Sequence, residues 1–292
     1  MDCTFQKTEH NKNKETNRMI ENAQIASAAP SLSPLPPGLA NGLTRGLRSS
    51  AGTPRWQPGI PTGCRYAELF APAGDASGAG LALALARDAL RQKAVAQAGA
   101  PGEGADHRPF LWVQDKAAMR LSGRPYLPGL PADLRHRLIH VAAASPQDAL
   151  FALEEGLRCR DLAFVIGELA GNPRALDFTA SRRLALAAEK HDVPLWLVRL
   201  DARHDLGAAR MRWQVACAPS PVPRWNPAAP GPSAWNASLL RAHTFHPGQW
   251  TLCDGAAVLT AAPFNQPDAS HTAPPDHGGL VQGSGDRSLA AG

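Results

Sequence analysis

The sequence lacks any close pair of cysteines. Its five, Cys3, Cys64, Cys159, Cys217 and Cys253, are scattered, and no C-x-x-C motif or Cys/His cluster exists to hold zinc. An odd, dispersed set with no secretory leader fits a reducing cytoplasm. Long apolar runs are missing too. No window approaches the ~20 residues of a membrane-spanning helix, and the chain is polar through Arg18 with no apolar signal region. No G-x-S-x-G elbow is present, which leaves a hydrolase triad without support. His136 and His140 lie four apart with a strand break expected between them, and His243 and His246 precede Pro247 in an expected surface segment. Neither pair makes a metal site. Glu154 and Glu155 are adjacent, and adjacent helical residues do not face each other.

What is present is a chain of 292 residues, of which 44% are hydrophobic, enough for one large core. The 27 prolines and 26 glycines are concentrated towards the ends, which predicts a folded centre between flexible flanks. The net charge of +5 is mild, but it is localised. Ser181–Trp250 holds nine Arg/Lys against four Asp/Glu, a surplus equal to that of the whole chain. Such a stretch is either a solvated face or a binding face for DNA or an acidic partner.

The pattern divides the chain into four parts. Residues 1–60 read as a disordered lead-in, with a weak helix near Gly38–Leu47 and Met19 as an alternative start. Residues 61–218 read as an α/β core. Strands are expected at Tyr66–Ala71, Pro109–Val113, Leu138–Ala143, Leu162–Ile166 and Pro194–Leu200. A further strand at Ala209–Ala218 has antiparallel pairing open to it. Helices are expected from Leu81 to about Gln97, from Ser145-Pro146 to about Arg160, and from Thr179 or Ser181 to near His191. This alternation predicts right-handed β-α-β units in a mainly parallel sheet, with its working surface beyond the carboxyl ends of the strands. Residues 219–260 read as a Pro/Trp-rich extension packing on the core, with a helix at SLLRAH and a strand from Gln249. Residues 261–292 read as a disordered tail.

A strand, a Gly-rich turn and a helix form the setting of a phosphate-binding loop, G-x-x-x-x-G-K-[ST]. Here the turn reads Ala73-Gly74-Asp75-Ala76-Ser77-Gly78-Ala79-Gly80. With Gly78 as the second motif glycine, Ala73 replaces the first. Ala79 stands where lysine is needed, and Gly80 where a magnesium-binding hydroxyl is needed. Asp75 adds a negative charge unwelcome to a triphosphate. Glu168, just past the expected Leu162–Ile166 strand, is the nearest carboxylate to a Walker B position, and Asp115 stands where a water-activating acid would be. No catalytic residue, metal or cofactor is expected.

Arg65–Gly80 resembles a degenerate RecA strand and phosphate loop, and Pro109–Asp115 the strand that comes next in such proteins. Leu138–Glu168 resembles the RecA strand–helix–strand spacing. RCRDLAFVIGELAG, SRRLALAAEKHDVPLWLVR and ARMRWQVACAPSP…RWNP resemble the ImuA family, the RecA-like members of bacterial damage-inducible mutagenesis cassettes, over about Cys64 to Trp250. The resemblance implies an SOS-response role in translesion synthesis beside an ImuB-like adaptor and an error-prone DnaE-type polymerase, with RecA as a further candidate partner. Two other readings stay open: a RecA/KaiC-like NTPase with an atypical loop, and a single-stranded-DNA binder. For partner or DNA binding the candidates are Arg210, Arg212, Trp213, Arg224, Trp225 and Trp235, with Trp250, Arg203 and Arg241 nearby, because tryptophan and arginine are favoured in interface hot spots and base stacking.

Overall fold

Tyr66–Ala71 is apolar at nearly every position and buried on both faces, the mark of an interior parallel strand. It forms β1. The computed structural model describes residues 54–60, 62–97, 106–255 and 258–263. After β1 come α1 (Ser77–Gln97), β2 (Phe110–Asp115), α2 (Lys116–Ser122), a 3₁₀ turn at Leu127–Gly129, and β3 (Leu138–Ala143). The chain continues through α3 (Pro146–Arg158), β4 (Val165–Ala170), α4 (Phe178–His191), β5 (Leu195–Leu200), β6 (Met211–Cys217), β7 (Ala234–Ala242), β8 (Gly248–Asp254) and β9 (Leu259–Pro263).

The nine strands form one sheet in the order β3-β2-β4-β5-β1-β6-β7-β8-β9. The pairings from β3 through β6 are parallel; those of β6 through β9 are antiparallel. The protein is therefore an α/β fold with a mostly parallel sheet flanked by helices. Helices α1 and α2 cover one face over a core that includes Leu69, Leu81, Phe110, Phe164, Val198 and Trp213. Helices α3 and α4 cover the other, over Leu111, Val113, Leu153, Val165, Leu184 and Leu197.

Local chemistry sets the helix ends. The Ser145 hydroxyl accepts the Asp148 amide at 3.2 Å, and Pro146 opens α3. Asp177 caps α4 by accepting the Ala180 amide at 2.7 Å, and Asp192 ends that helix in the left-handed region at φ 57°. Asp115 caps α2 through the Ala118 amide.

Several boundaries differ from those expected. Strand β4 begins at Val165 rather than Leu162 and runs on to Ala170, so Glu168 lies inside the strand and not beyond it. It can do so because neighbouring donors satisfy its carboxylate. Strand β2 likewise includes Gln114 and Asp115. Helix α1 starts at Ser77, so the Gly-rich residues form its first turn. Strand β6 pairs parallel with β1 and antiparallel only with β7.

SLLRAH is strand, not helix, as far as Ala242. Trp235, Ala237 and Leu239 are buried in alternation with Asn236, Ser238 and Leu240, which is a period of two. Residues 219–260 are thus not an extension laid on the core; their strands continue the same sheet. At the ends, Trp56 is buried among Trp213 and Trp250, and Ala261–Pro263 belong to β9. The folded unit therefore reaches into both segments expected to be tails. The rest of those segments, with the weak helix near Gly38–Leu47, lies outside the described residues.

Candidate functional site

The turn between β1 and α1 lies at the carboxyl end of the central strand, with β5 and β6 on either side. This is where a ligand of an open α/β sheet is bound. Two of its backbone donors are taken by the chain's own carboxylates. The Ala73 amide donates to Asp201 Oδ1 at 2.9 Å. The Ser77 amide donates to Asp75 Oδ1 at 2.9 Å. Asp201 follows β5, sits at φ 50°, and donates its own amide to the Ala71 carbonyl. Partial burial pushes the Asp75 carboxyl up, but the hydrogen bonds from Ser77 outweigh this and hold it below its ordinary range. Burial, together with the neighbouring Asp75 carboxylate, raises the Cys217 thiol.

The two helix glycines are needed for packing. A Cβ on Gly78 would stand 2.7 Å from Ala71 Cβ and from Val198 Cγ1. One on Gly80 would stand 3.1 Å from the Trp235 indole. The position where a metal-binding hydroxyl would be needed thus lies under Trp235, which is 6% exposed. Gly74, by contrast, has open space where its Cβ would be. Ala79 is half-buried and packs against the core.

Glu168 is fully buried on the α1/α2 face. It accepts from Trp112 Nε1 at 2.7 Å, from the Ser122 hydroxyl at 2.9 Å, and from Gln114 Nε2 at 3.1 Å. Burial pushes its carboxyl above the ordinary range, against the pull of those donors. Gln114 Oε1 in turn meets His140 Nε2 at 2.9 Å. The network ties α2 to β2, β3 and β4. Glu168 and Asp115 are therefore held by structural partners. Among the described residues no group of three or more His, Cys, Asp or Glu is placed to hold a metal ion, and no helix is long and apolar enough to cross a membrane.

The arginines and tryptophans expected to form one binding surface separate into two groups. Arg212, largely but not fully buried, pairs with the buried Glu68, Nε to Oε2 at 2.8 Å, with Asp205 at 3.6 Å. Tyr66 donates to the other Glu68 oxygen at 2.9 Å. Arg199, also buried, pairs with Asp205 at 3.4 Å, and both guanidinium groups lie over the Phe70 ring. Trp213 is 1% exposed, its ring 4.8 Å from that of Trp56. Trp235 and Trp250 belong to the same core. These side chains are scaffold, and this corrects their expected role.

The exposed group is smaller. Trp225 is 81% exposed, beside the exposed Arg224 and Val222, on the Pro-rich loop between β6 and β7. Arg210 is exposed too, but it precedes β6 at the opposite edge of the sheet and pairs with Glu189 at 2.6 Å.

Sequence reasoning missed the cluster of Glu68, Arg199, Asp205 and Arg212. The signal was one charge within each of three otherwise mainly apolar strands, Tyr66–Ala71, Leu195–Leu200 and Met211–Cys217. No family model matches the chain, and no curated protein matches it significantly.

Proposed function

We propose that this chain is a non-catalytic, RecA-like accessory protein of damage-induced translesion synthesis, docking an ImuB-like adaptor and an error-prone DnaE-type polymerase. The observation that carries the non-catalytic part is the partly self-occupied turn after β1. Ala73 and Ser77 give their amides to Asp201 and Asp75, and Trp235 covers Gly80. A triphosphate would have to displace two carboxylates with no lysine to offset its charge. The central place of β1, between β5 and β6, supports the RecA-like reading. The assignment to mutagenesis rests on the resemblance of the blocks around Arg158–Gly171, Ser181–Arg199 and Ala209–Pro227 to the ImuA family.

Docking is assigned to the loop between β6 and β7. Trp225 there has no burial to account for it, and exposed tryptophan flanked by arginine is the composition of an interface anchor. The test has two arms. Calorimetry with ATP and magnesium should show no binding at micromolar concentrations. Co-purification with the adaptor should be lost in Trp225→Ala while the melt is unchanged. Micromolar ATP affinity would overturn the non-catalytic part, and undiminished adaptor binding by Trp225→Ala would overturn the docking part.

A further inference from the structure

The chain enters each strand of the parallel block from the same edge, and almost every entry carries a cation. Across the sheet from β3 to β6 the order is Arg137 before β3, Arg108 before β2, Arg160 before β4, Lys190 before β5, Arg65 before β1 and Arg210 before β6. With six strands spaced ~4.8 Å apart, the row is about 24 Å long. Lys93, near the end of α1, joins it. At its centre Lys93, Arg108, Arg160, Lys190 and His191 line a depression of 270 Å³ with Asp192.

The local acids do not cancel this charge. The row holds seven Arg/Lys and four carboxylates, Asp106, Asp161, Glu189 and Asp192. Three of the four are engaged, by Arg108, Arg210 and Arg65. Arg137 is turned to a backbone carbonyl, that of Arg108, at 2.8 Å. Among the described residues Lys93, Arg160 and Lys190 have no carboxylate partner. The plainer account is that these cations complement the carbonyls at the ends of α1, α3 and α4. That serves Lys190 and His191 in the last turn of α4, Lys93 near the end of α1 and Arg160 just past α3. It does not serve Arg65, Arg108, Arg137 or Arg210, which precede strands.

A linear row of cations, with no exposed aromatic stacking platform beside it among the described residues, suits a ligand with regularly repeated negative charge. The geometry points to this amino-terminal edge as a docking surface for the phosphate backbone of nucleic acid, centred on the Lys93–Arg108–Arg160–Lys190 depression. Binding there is sequence-independent and driven by counterion release. The surface is remote from the Trp225 loop, which lies at the carboxyl edge, so nucleic-acid binding here does not depend on partner docking there.

The test is fluorescence anisotropy of a labelled single-stranded oligodeoxynucleotide against the full chain, repeated with a duplex. With four or five phosphates neutralised, the logarithm of the binding constant should fall with the logarithm of salt at a slope of roughly −3 for the single strand. Lys93→Glu/Arg160→Glu/Lys190→Glu should weaken binding at least about tenfold and flatten that slope. The neutral set, Lys93→Gln/Arg160→Gln/Lys190→Gln, should lie between and guards against a folding defect. Arg203→Glu/Arg224→Glu, at the opposite edge, should bind as the wild type does. No binding by the wild type at low salt, or binding kept by both triple variants and lost by the control pair, overturns the proposal. Adaptor co-purification on the same variants separates the two readings, because the triple variants leave Trp225 intact.

Discussion

The Trp235 indole lies against Gly80, so close that a methyl group at 80 would stand 3.1 Å from Cζ2 and Nε1. The contact links the first turn of α1 to β7 across the position where a nucleotide-binding loop would need a hydroxyl. Gly80→Thr should therefore destabilise the fold by about 1–3 kcal/mol, an overpacking cost that outweighs the better helix propensity of threonine. Ala79→Lys/Gly80→Thr, which restores the motif letters, should still not bind ATP. Chemical denaturation and calorimetry check both. If the double variant binds ATP with unchanged stability, the indole is not the obstacle.

Glu68 and Arg212 form a largely buried pair, so each should matter through the other. Glu68→Ala leaves a largely buried guanidinium with only Asp205 at 3.6 Å, and should cost roughly 2–4 kcal/mol. Replacing both residues with methionine should cost far less, since apolar substitution of a whole buried pair is often close to neutral. Urea midpoints for the two single variants and the double decide it. A loss in the double variant equal to the sum of the two single losses would mean that the pair is not coupled.

Glu168 carries a pH signature. Burial raises its folded titration above the ordinary value near 4.5. The protonated form is thus favoured on folding. Its contribution is complete at acid pH and is lost as pH rises through the raised folded value. Asp75, Asp106 and Asp205 are shifted downward and act in the opposite sense, so the readout must be a difference. The melting temperature of Glu168→Gln minus that of the wild type should grow as pH rises from about 4.5. A difference that shrinks with rising pH would show Glu168 acting as a stabilising anion.

Trp225 and Trp235, alike in composition and neighbourhood along the chain, should part in the laboratory. Trp225→Ala should change stability by no more than ~0.5 kcal/mol, as expected of an exposed side chain. Trp235→Ala should cost about 3–5 kcal/mol, as expected of a buried one. Thermal melts of the two single variants suffice. A stable Trp235→Ala would remove the basis for the Gly80 prediction as well.

Much of the fold is legible from short-range chemistry. Strand β3 and the start of α3 are fixed by an apolar run and by the Ser145-Pro146 cap, both local. The misjudged boundaries fall where a charged or polar residue looks like the end of an element. Glu168 stands inside β4 because Ser122 of α2 and Trp112 and Gln114 of β2 satisfy it, and Asp115 ends β2 because one of its oxygens caps α2 through the Ala118 amide. SLLRAH has the composition of a helix, and only its pairing with β6 and β8 makes it strand. The degenerate loop is visible as letters, but not what fills it. Asp201 comes from 128 residues away, and nothing near Ala73 announces it. The misplaced roles of Arg212 and Trp213 have one cause: residue type suggests a surface, whereas their places along β6 give both of them buried partners.

Trp56 is wedged between Trp213 and Trp250, with Arg55 over the Trp250 ring at 5.1 Å and the His246 amide on the Pro54 carbonyl at 3.1 Å. The two ends of the folded unit are thereby stitched together. During synthesis on the ribosome, Trp56 emerges long before the strand that covers it. Its indole must wait, uncovered, through the assembly of the whole parallel block. A chain halted before β8 would leave that seam open, with one tryptophan exposed at each margin, ready for a chaperone or a protease to act upon.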